Sequence, residues 1–272
     1  MKPHIWRGEL LRWYLTRARH PLKAYLVGHY WSWFSRRQVW VRYDDTAVIR
    51  VSLGDYLQQR IFFDGYYERA LIGWLKKSLK PTDVFWDVGA NVGAVTLVAS
   101  RLCERVIAFE PDPRTLPLLA DNIRRNERQN VEIVPAALGS APGTAILHQA
   151  ATMNTGMSSL IDDRSPTVGQ ISVDVLEADQ LVRDRAELRP TVIKIDVEGA
   201  EHLVLRGARA LLAEGTVRAV IFEDRHGTEF QPTNQAVVEC LRDAGYRIEP
   251  LGPSDTGVAD GMLNFLAVRG SH

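Results

Sequence analysis

Cysteine is nearly missing from this chain: there are two, Cys103 and Cys240, far apart and in no CxxC pattern. That excludes a disulfide scaffold and a thiolate zinc site, and points to a reducing, cytoplasmic compartment. Long apolar runs are missing too. None approaches the ~18 residues that a membrane span requires, and the start does not read as a signal peptide. Net charge is absent overall, with 33 Lys and Arg cancelling 33 Asp and Glu, so the chain as a whole is no polyanion binder. No Gly-Lys-Ser/Thr follows a glycine turn, which excludes a P-loop. No internal repeat or low-complexity tract occurs. What remains is 272 residues, 46% hydrophobic and 24% charged. That suffices for one large domain, or a domain with an appendage, folding without disulfides.

The neutral total hides an asymmetry. Residues 1–42 hold nine basic residues (Lys2, Arg7, Arg12, Arg17, Arg19, Lys23, Arg36, Arg37 and Arg42) against one acid, Glu9. The segment is therefore about +8 and the remainder about −8. Five of the seven tryptophans also lie here, at Trp6, Trp13, Trp31, Trp33 and Trp40. This pattern reads as a helical cap docked on the remainder or a homodimer contact. Its other reading is a helix on an anionic surface at the inner face of a membrane. No RNA-recognition signature accompanies it, so nucleic acid is not an expected partner. We place an N-terminal extension at 1–65 and a catalytic domain at 66–269. Arg269–His272 reads as the start of an appended tag and is set aside.

From Pro81 onward, short apolar runs alternate with helical segments, the pattern of βαβ units on a parallel sheet. Strands are expected at Val84–Val88, Val106–Glu110, Val131–Val134, Val192–Asp196, Ala219–Glu223, Tyr246–Leu251 and Leu263–Val268. Helices are expected near Ala94–Leu102, Leu116–Asn126, Ala200–Leu212 and Asn234–Ala244. A less regular insert, Ala145–Val175, reads as a strand pair. Ligands of such sheets bind outside the carboxyl ends of the strands, so the strand ends carry the functional argument.

The first expected strand runs into Asp87-Val88-Gly89-Ala90-Asn91-Val92-Gly93. Gly89 and Gly93 permit a tight turn and close approach of a ligand, and the helix behind offers unpaired N–H groups. Glu110 closes the second strand 23 residues after Asp87, the spacing at which an acid takes both hydroxyls of a ribose. The spacing is DxGxNxG rather than the GxGxxG of a dinucleotide site. A carboxylate at Asp87 repels a pyrophosphate and suits a ligand bearing a cationic amine and a sulfonium. S-adenosylmethionine has both, so it is the expected cofactor.

The fourth expected strand ends in Lys194-Ile195-Asp196-Val197-Glu198-Gly199-Ala200-Glu201, placing Asp196 and Glu198 at the lip of the sheet's centre. A lysine in such a strand is costly unless paired, so Lys194 is expected to be ion-paired within the site. The fifth ends in Glu223-Asp224-Arg225-His226, and histidine suits proton abstraction near neutral pH.

These stretches together resemble the FkbM family of S-adenosylmethionine-dependent O-methyltransferases, over roughly Tyr66 to Arg269. The resemblance rests on Tyr67-Glu68, on the Asp87–Gly93 turn, and on Ala108-Phe109-Glu110-Pro111-Asp112-Pro113. It continues through Pro135-Ala136-Ala137-Leu138-Gly139, Gly156-Met157-Ser158-Ser159-Leu160 and the Lys194–Glu201 run, the most specific of them. It implies a class I methyltransferase, Rossmann-like α/β fold: a seven-stranded, mostly parallel sheet with the last strand antiparallel. It also implies methyl transfer to a hydroxyl of a saccharide, glycolipid or polyketide. Cofactor contacts are expected from Glu68, Asp87, Gly89, Asn91, Gly93, Glu110, Asp112, Ala137 and Asp196. The family's Leu-Asp-Asp-Leu is replaced by Val175-Leu176-Glu177-Ala178-Asp179, and no role is carried over from that stretch.

The expected chemistry is in-line displacement with a general base removing the acceptor's proton. The candidate bases are His226 and Glu198, with Asp196 holding the amine or orienting the acceptor. Ser158 and Ser159 would belong to a lid over the cofactor. A metal version uses Asp196, Glu223 and Asp224 as oxygen ligands for Mg²⁺. Two other classes stay open at this point: an NAD(P)-dependent dehydrogenase, and a noncatalytic partner-binding protein on the same scaffold.

Overall fold

We describe a computed structural model of the chain over residues 3–19, 22–150, 158–161, 167–227, 230–253 and 261–269. Gly156 and Met157 of the expected lid, part of the Ala145–Val175 insert, and Gly270–His272 lie outside those residues.

The chain begins with α1 (Pro3–Arg17) and α2 (Lys23–Phe34), then the antiparallel hairpin of β1 (Gln38–Tyr43) and β2 (Ala47–Ser52). Next come α3 (Tyr56–Asp64) and α4 (Arg69–Ser78). The α3 start is capped by Asp55, whose carboxylate accepts the Gln58 N–H at 3.0 Å, and Gly65 ends it in the left-handed region at φ 79°. The alternating units follow: β3 (Val84–Val88), α5 (Ala94–Ala99), β4 (Arg105–Phe109), α6 (Leu116–Arg125) and β5 (Val131–Val134). Three strands of a separate small sheet come next, β6 (Ala137–Gly139), β7 (Gly143–Ala150) and β8 (Thr167–Glu177), then α7 (Ala178–Asp184). The chain closes with β9 (Val192–Ile195), α8 (Glu201–Gly207), α9 (Arg209–Glu214), β10 (Ala219–Arg225), α10 (Gln235–Asp243), β11 (Tyr246–Pro253) and β12 (Met262–Arg269).

The large sheet has the strand order β11-β12-β10-β9-β3-β4-β5. β5, β4, β3, β9 and β10 are parallel neighbours, and β12 runs antiparallel between β10 and β11. This is the seven-stranded class I methyltransferase sheet with its antiparallel last strand. The order reverses between β3 and β9, so the carboxyl ends of β3, β4, β9 and β10 surround the switch point where such sheets bind ligands. β3 reads Val-Phe-Trp-Asp-Val because both sheet faces are covered, as central parallel strands require.

Three expectations change. The extension is only partly helical: the β1–β2 hairpin was not foreseen, although β2 alternates buried and half-buried residues with the period of a strand. Val41, Tyr43, Ile49 and Val51 of the hairpin share one buried cluster with Ile61, Phe62, Phe85 and Leu97. The expected helix Ala200–Leu212 is two helices broken at Ala208. There Asp179 accepts the N–H groups of Ala210 and Leu211, both at 2.8 Å, and starts α9 anew. Arg269 belongs to the fold, since its guanidinium donates to Leu212 O at 2.8 Å and lies over Tyr246. Among the described residues, no helix is long and apolar enough to cross a membrane.

The outer edge of the hairpin is closed by two amides of α6. Asn122 and Asn126 accept the Arg50 and Val48 N–H groups at 2.6 and 2.9 Å and donate to the same residues' carbonyls at 3.3 and 2.6 Å. Two side chains thus stand in for a neighbouring strand. Fully buried Asn122 also donates to Val92 O at 2.8 Å, linking the hairpin to the glycine turn. Asn122→Leu strands these backbone groups and is expected to cost about 1–3 kcal/mol, read as a lower denaturant midpoint with earlier proteolysis near the hairpin.

Candidate active site

The glycine turn after β3 folds back on β4. Gly89 and Ala90 both donate to Phe109 O at 3.0 Å, and Gly89 has φ 82°, with the position of a Cβ only 1.8 Å from Asp196 O. No other residue fits between these two strand ends. Asn91 then donates its N–H to Glu110 Oε2 at 2.8 Å, and Asp112 donates to Glu110 Oε1 at 2.8 Å. Burial pushes the Glu110 carboxyl up to about 7, while the Asp112 and Asn91 N–H groups hold it back.

Between β3 and β9 lies the buried ammonium of Lys194. It donates to Gly89 O at 3.0 Å and pairs with Asp196 Oδ2 at 3.2 Å and Asp87 Oδ1 at 3.4 Å. Burial alone would lower its pKa, but Asp196, Asp87 and Glu68 outweigh this and keep it protonated. The expected ion pairing of Lys194 is therefore present. Asp87 is fully buried, and its second oxygen accepts the Thr96 hydroxyl at 2.5 Å. Glu68 starts α4 in the left-handed region at φ 48°. Its carboxyl is raised well above the usual range by burial and by the nearby Asp196 and Glu223. Tyr67 is raised in the same way, by burial and then by Glu68, Asp196, Glu223 and Glu198.

A cavity opens at the switch point. Leu57, Val88, Phe109, Pro111, Ala136, Ala137, Leu138, Leu147 and Leu160 line its apolar part. Tyr67, Gly89, Asn91, Glu110, Thr115, Ser158, Asp196, Glu198 and Glu223 line its polar part. Asn91 Oδ1 is buried and accepts no hydrogen bond among the described residues. The sequence-expected residues Gly89, Asn91, Glu110, Ala137, Ser158, Asp196, Glu198 and Glu223 are thus brought to one wall.

Other expected residues stand behind it or elsewhere. Asp87 and Glu68 are not among the cavity's lining: Asp87 pairs with Lys194, and Glu68 lies near enough to influence its charge. Gly93 turns the chain into α5, where a Cβ would lie 2.7 Å from Leu119 Cδ1. Asp112 is taken by Arg114, whose guanidinium meets both carboxylate oxygens at 2.6–3.1 Å. The same guanidinium donates to Ala150 O at 3.1 Å and Ser158 Oγ at 3.1 Å. Arg114 and Asp112 therefore fasten the insert beside the cavity. Ser159 donates to Glu198 O at 2.8 Å and pairs backbone-to-backbone with His148, so it supports the wall from behind.

His226 is not part of the wall. It follows β10, its Nδ1 lies 3.0 Å from Gly227 O, and its ring packs beside Phe230. The proposed metal triad does not assemble either. Asp224 turns away to accept the Asn234 N–H at 2.7 Å and the Thr233 hydroxyl at 3.4 Å, capping the approach to α10. Among the described residues no three His, Cys, Asp or Glu side chains gather closely enough to hold a metal. Sequence reasoning missed Thr96, Arg114 and Leu57. Thr96 had a signal, lying one helical turn after Gly93 and so facing back to the strand. Leu57 had none, because it reaches the cavity through the packing of α3.

The family described as "Methyltransferase FkbM domain" matches residues 87–248, a span that holds the turn, Glu110 and the Lys194–Glu201 run. The chain belongs to the FkbM methyltransferase family. The "Hexuronic acid methyltransferase AglP" of Haloferax volcanii is 30% identical over 175 residues, covering 64% of this chain and 69% of that protein. "Methyltransferase sdnD" of Sordaria araneosa is 25% identical over 224 residues, 71% and 82% of the two chains. The solved FkbM methyltransferase of Methylobacillus flagellatus KT superposes with a TM-score of 0.50 at 19% identity and covers 78% of this chain. The chain spans about half of that protein (52%) and shares its fold. FkbM membership makes this chain a methyltransferase by family, and its sheet topology agrees in fold.

Two measurements test the geometry. Lys194→Met leaves buried carboxylates unpaired and is expected to cost about 3–5 kcal/mol of folding stability, measured by denaturant unfolding. The Glu110 carboxyl rises from 4.5 to about 7 on folding. The protein with an empty cavity is then favoured by this group at low pH, and that advantage is lost as pH rises from 4.5 through about 7. The stability of wild type relative to Glu110→Gln should fall across that window by roughly 3 kcal/mol; a flat difference refutes the buried proton.

Proposed function

We propose that the chain is an S-adenosylmethionine-dependent O-methyltransferase whose acceptor is a saccharide-type hydroxyl. The observation that carries this reading is the conjunction at one cavity wall of the buried Glu110 carboxylate, the unpartnered Asn91 Oδ1, and the acids Asp196, Glu198 and Glu223. Glu110 would take the ribose hydroxyls, and Asn91 Oδ1 an N–H donor. The apolar lining of Phe109, Ala136, Ala137 and Leu138 would take the adenine face. Asp196, held in place by Lys194, would meet the cationic amine. The acid-rich wall suits a ligand with two positive centres and opposes a pyrophosphate.

When bound, the sulfonium supplies an activated methyl group. The protein's part is to orient the acceptor oxygen in line and to receive its proton. Glu198 is the base we assign. It lies on the wall, its backbone is held at φ 54°, and Ser159 pins its carbonyl. The hexuronic acid named for the Haloferax volcanii relative supports a sugar hydroxyl as acceptor, and the shared family supports the donor. In this reading Arg114 and Ser158 position the insert as one side of the acceptor entrance.

Incubation with methyl-labelled S-adenosylmethionine and a panel of uronic acids, neutral saccharides and polyketides tests the proposal by label transfer. Transfer to a saccharide with formation of a methyl ether is the expected outcome, and transfer to nitrogen or carbon acceptors alone contradicts it. Glu198→Gln should lower kcat by about 10²–10⁴-fold with cofactor affinity retained. An unchanged kcat removes Glu198 from the role of base.

A further inference from the structure

The N-terminal helices differ in how they are held. α1 is anchored: Gly8 lies against Trp40 O so closely that a Cβ would fall 2.0 Å from it, and Glu9 accepts the Arg42 N–H at 2.8 Å. Leu11 and Leu15 of α1 pack on the core. The described side chains of α2, Tyr25, Leu26, Val27, Trp33 and Phe34 among them, belong neither to the buried core cluster nor to the apolar residues packed on it.

Yet α2 is the more apolar helix. Its sequence, Lys-Ala-Tyr-Leu-Val-Gly-His-Tyr-Trp-Ser-Trp-Phe, contains one formal charge in twelve residues. Tyr25 is 66% and Trp33 52% exposed, and Leu22 just before the helix is 63% exposed. Basic residues bracket it, with Arg17 and Arg19 before and Arg36 and Arg37 after. Arg37 lies over the Trp33 ring at 4.0 Å, a guanidinium held beside an interfacial aromatic. An apolar helix with exposed Tyr and Trp and cationic flanks has the makeup of a segment lying in a lipid headgroup layer.

We propose that α2 docks this protein on an anionic phospholipid surface, with Leu22, Tyr25 and Trp33 entering the interface and Arg36 and Arg37 meeting the headgroups. The charge decides the occupant. A second copy of the same face would oppose one segment of about +8 to another, which repels, whereas an anionic leaflet attracts it at about 1 kcal/mol per basic residue near the surface. This surface role is independent of the methyl-transfer reading.

Vesicle flotation of the full chain tests it, with phosphatidylcholine alone and mixed with phosphatidylglycerol. Binding to the anionic vesicles should exceed binding to the neutral ones by tenfold or more and weaken with added salt. The Arg36→Gln/Arg37→Gln and Tyr25→Ser/Trp33→Ser variants should each lose about tenfold, with unchanged thermal unfolding because these side chains are exposed. No flotation with anionic vesicles, or equal flotation with neutral ones, overturns the proposal. Binding that survives loss of Tyr25 and Trp33 shows charge adsorption alone and also overturns it. A dimer in sedimentation velocity that dissociates on the same substitutions assigns the face to a second copy and overturns it as well.

Discussion

One buried ammonium makes the rest of this site possible. Asp87 of β3 and Asp196 just past β9 pair with Lys194, and Glu68 at the start of α4 adds its charge nearby, in a place where unpaired carboxylates would be expelled or protonated. The ammonium also holds Gly89 O, so the same group that neutralises the acids fixes the turn that shapes the cavity. Lys194 also pairs with Asp196, which lines the cavity beside Glu110, Glu198 and Glu223. In the proposed reading, this acid-lined cavity is what receives a cationic ligand.

The second constraint is the pair of strand ends that touch. Because Gly89 meets Asp196 O with no room for a side chain, β3 and β9 deliver Asn91 and Glu198 to the same wall. β4 then brings Glu110 across, clasped by the Asn91 and Asp112 N–H groups. The hairpin supports this arrangement from outside the sheet, through Asn122 and its bond to Val92 O. The N-terminal segment thus braces the glycine turn, and Leu57 of α3 reaches the cavity itself.

Much of this was legible in the residues. The seven strands of the large sheet follow from apolar runs ending in charged or glycine-rich turns, since the central runs are buried on both faces between helices. Gly89, Asn91, Glu110, Asp196 and Glu198 were expected together because the strands of such a sheet stop there, and they line one cavity at those ends. The hairpin was not found, because its edge pairs with amide side chains of α6, seventy residues away, and tryptophans with arginines obscured its alternation. Asp87 and Asp112 were read as facing the ligand. Their partners, Thr96 with Lys194 and Arg114, are fixed by tertiary packing that no spacing rule carries. His226 failed for a related reason: its chain position is at the sheet's ligand edge, but its ring turns to Gly227 O and Phe230.

The most direct test of the central claim is titration calorimetry of S-adenosylmethionine and its demethylated product into the protein near pH 7, in buffers of different ionisation enthalpy. The account predicts that both bind, with release of a proton, because ribose hydroxyls donating to Glu110 favour its carboxylate over the buried acid form. Absence of binding by both, or binding of a nicotinamide dinucleotide in their place, would contradict it.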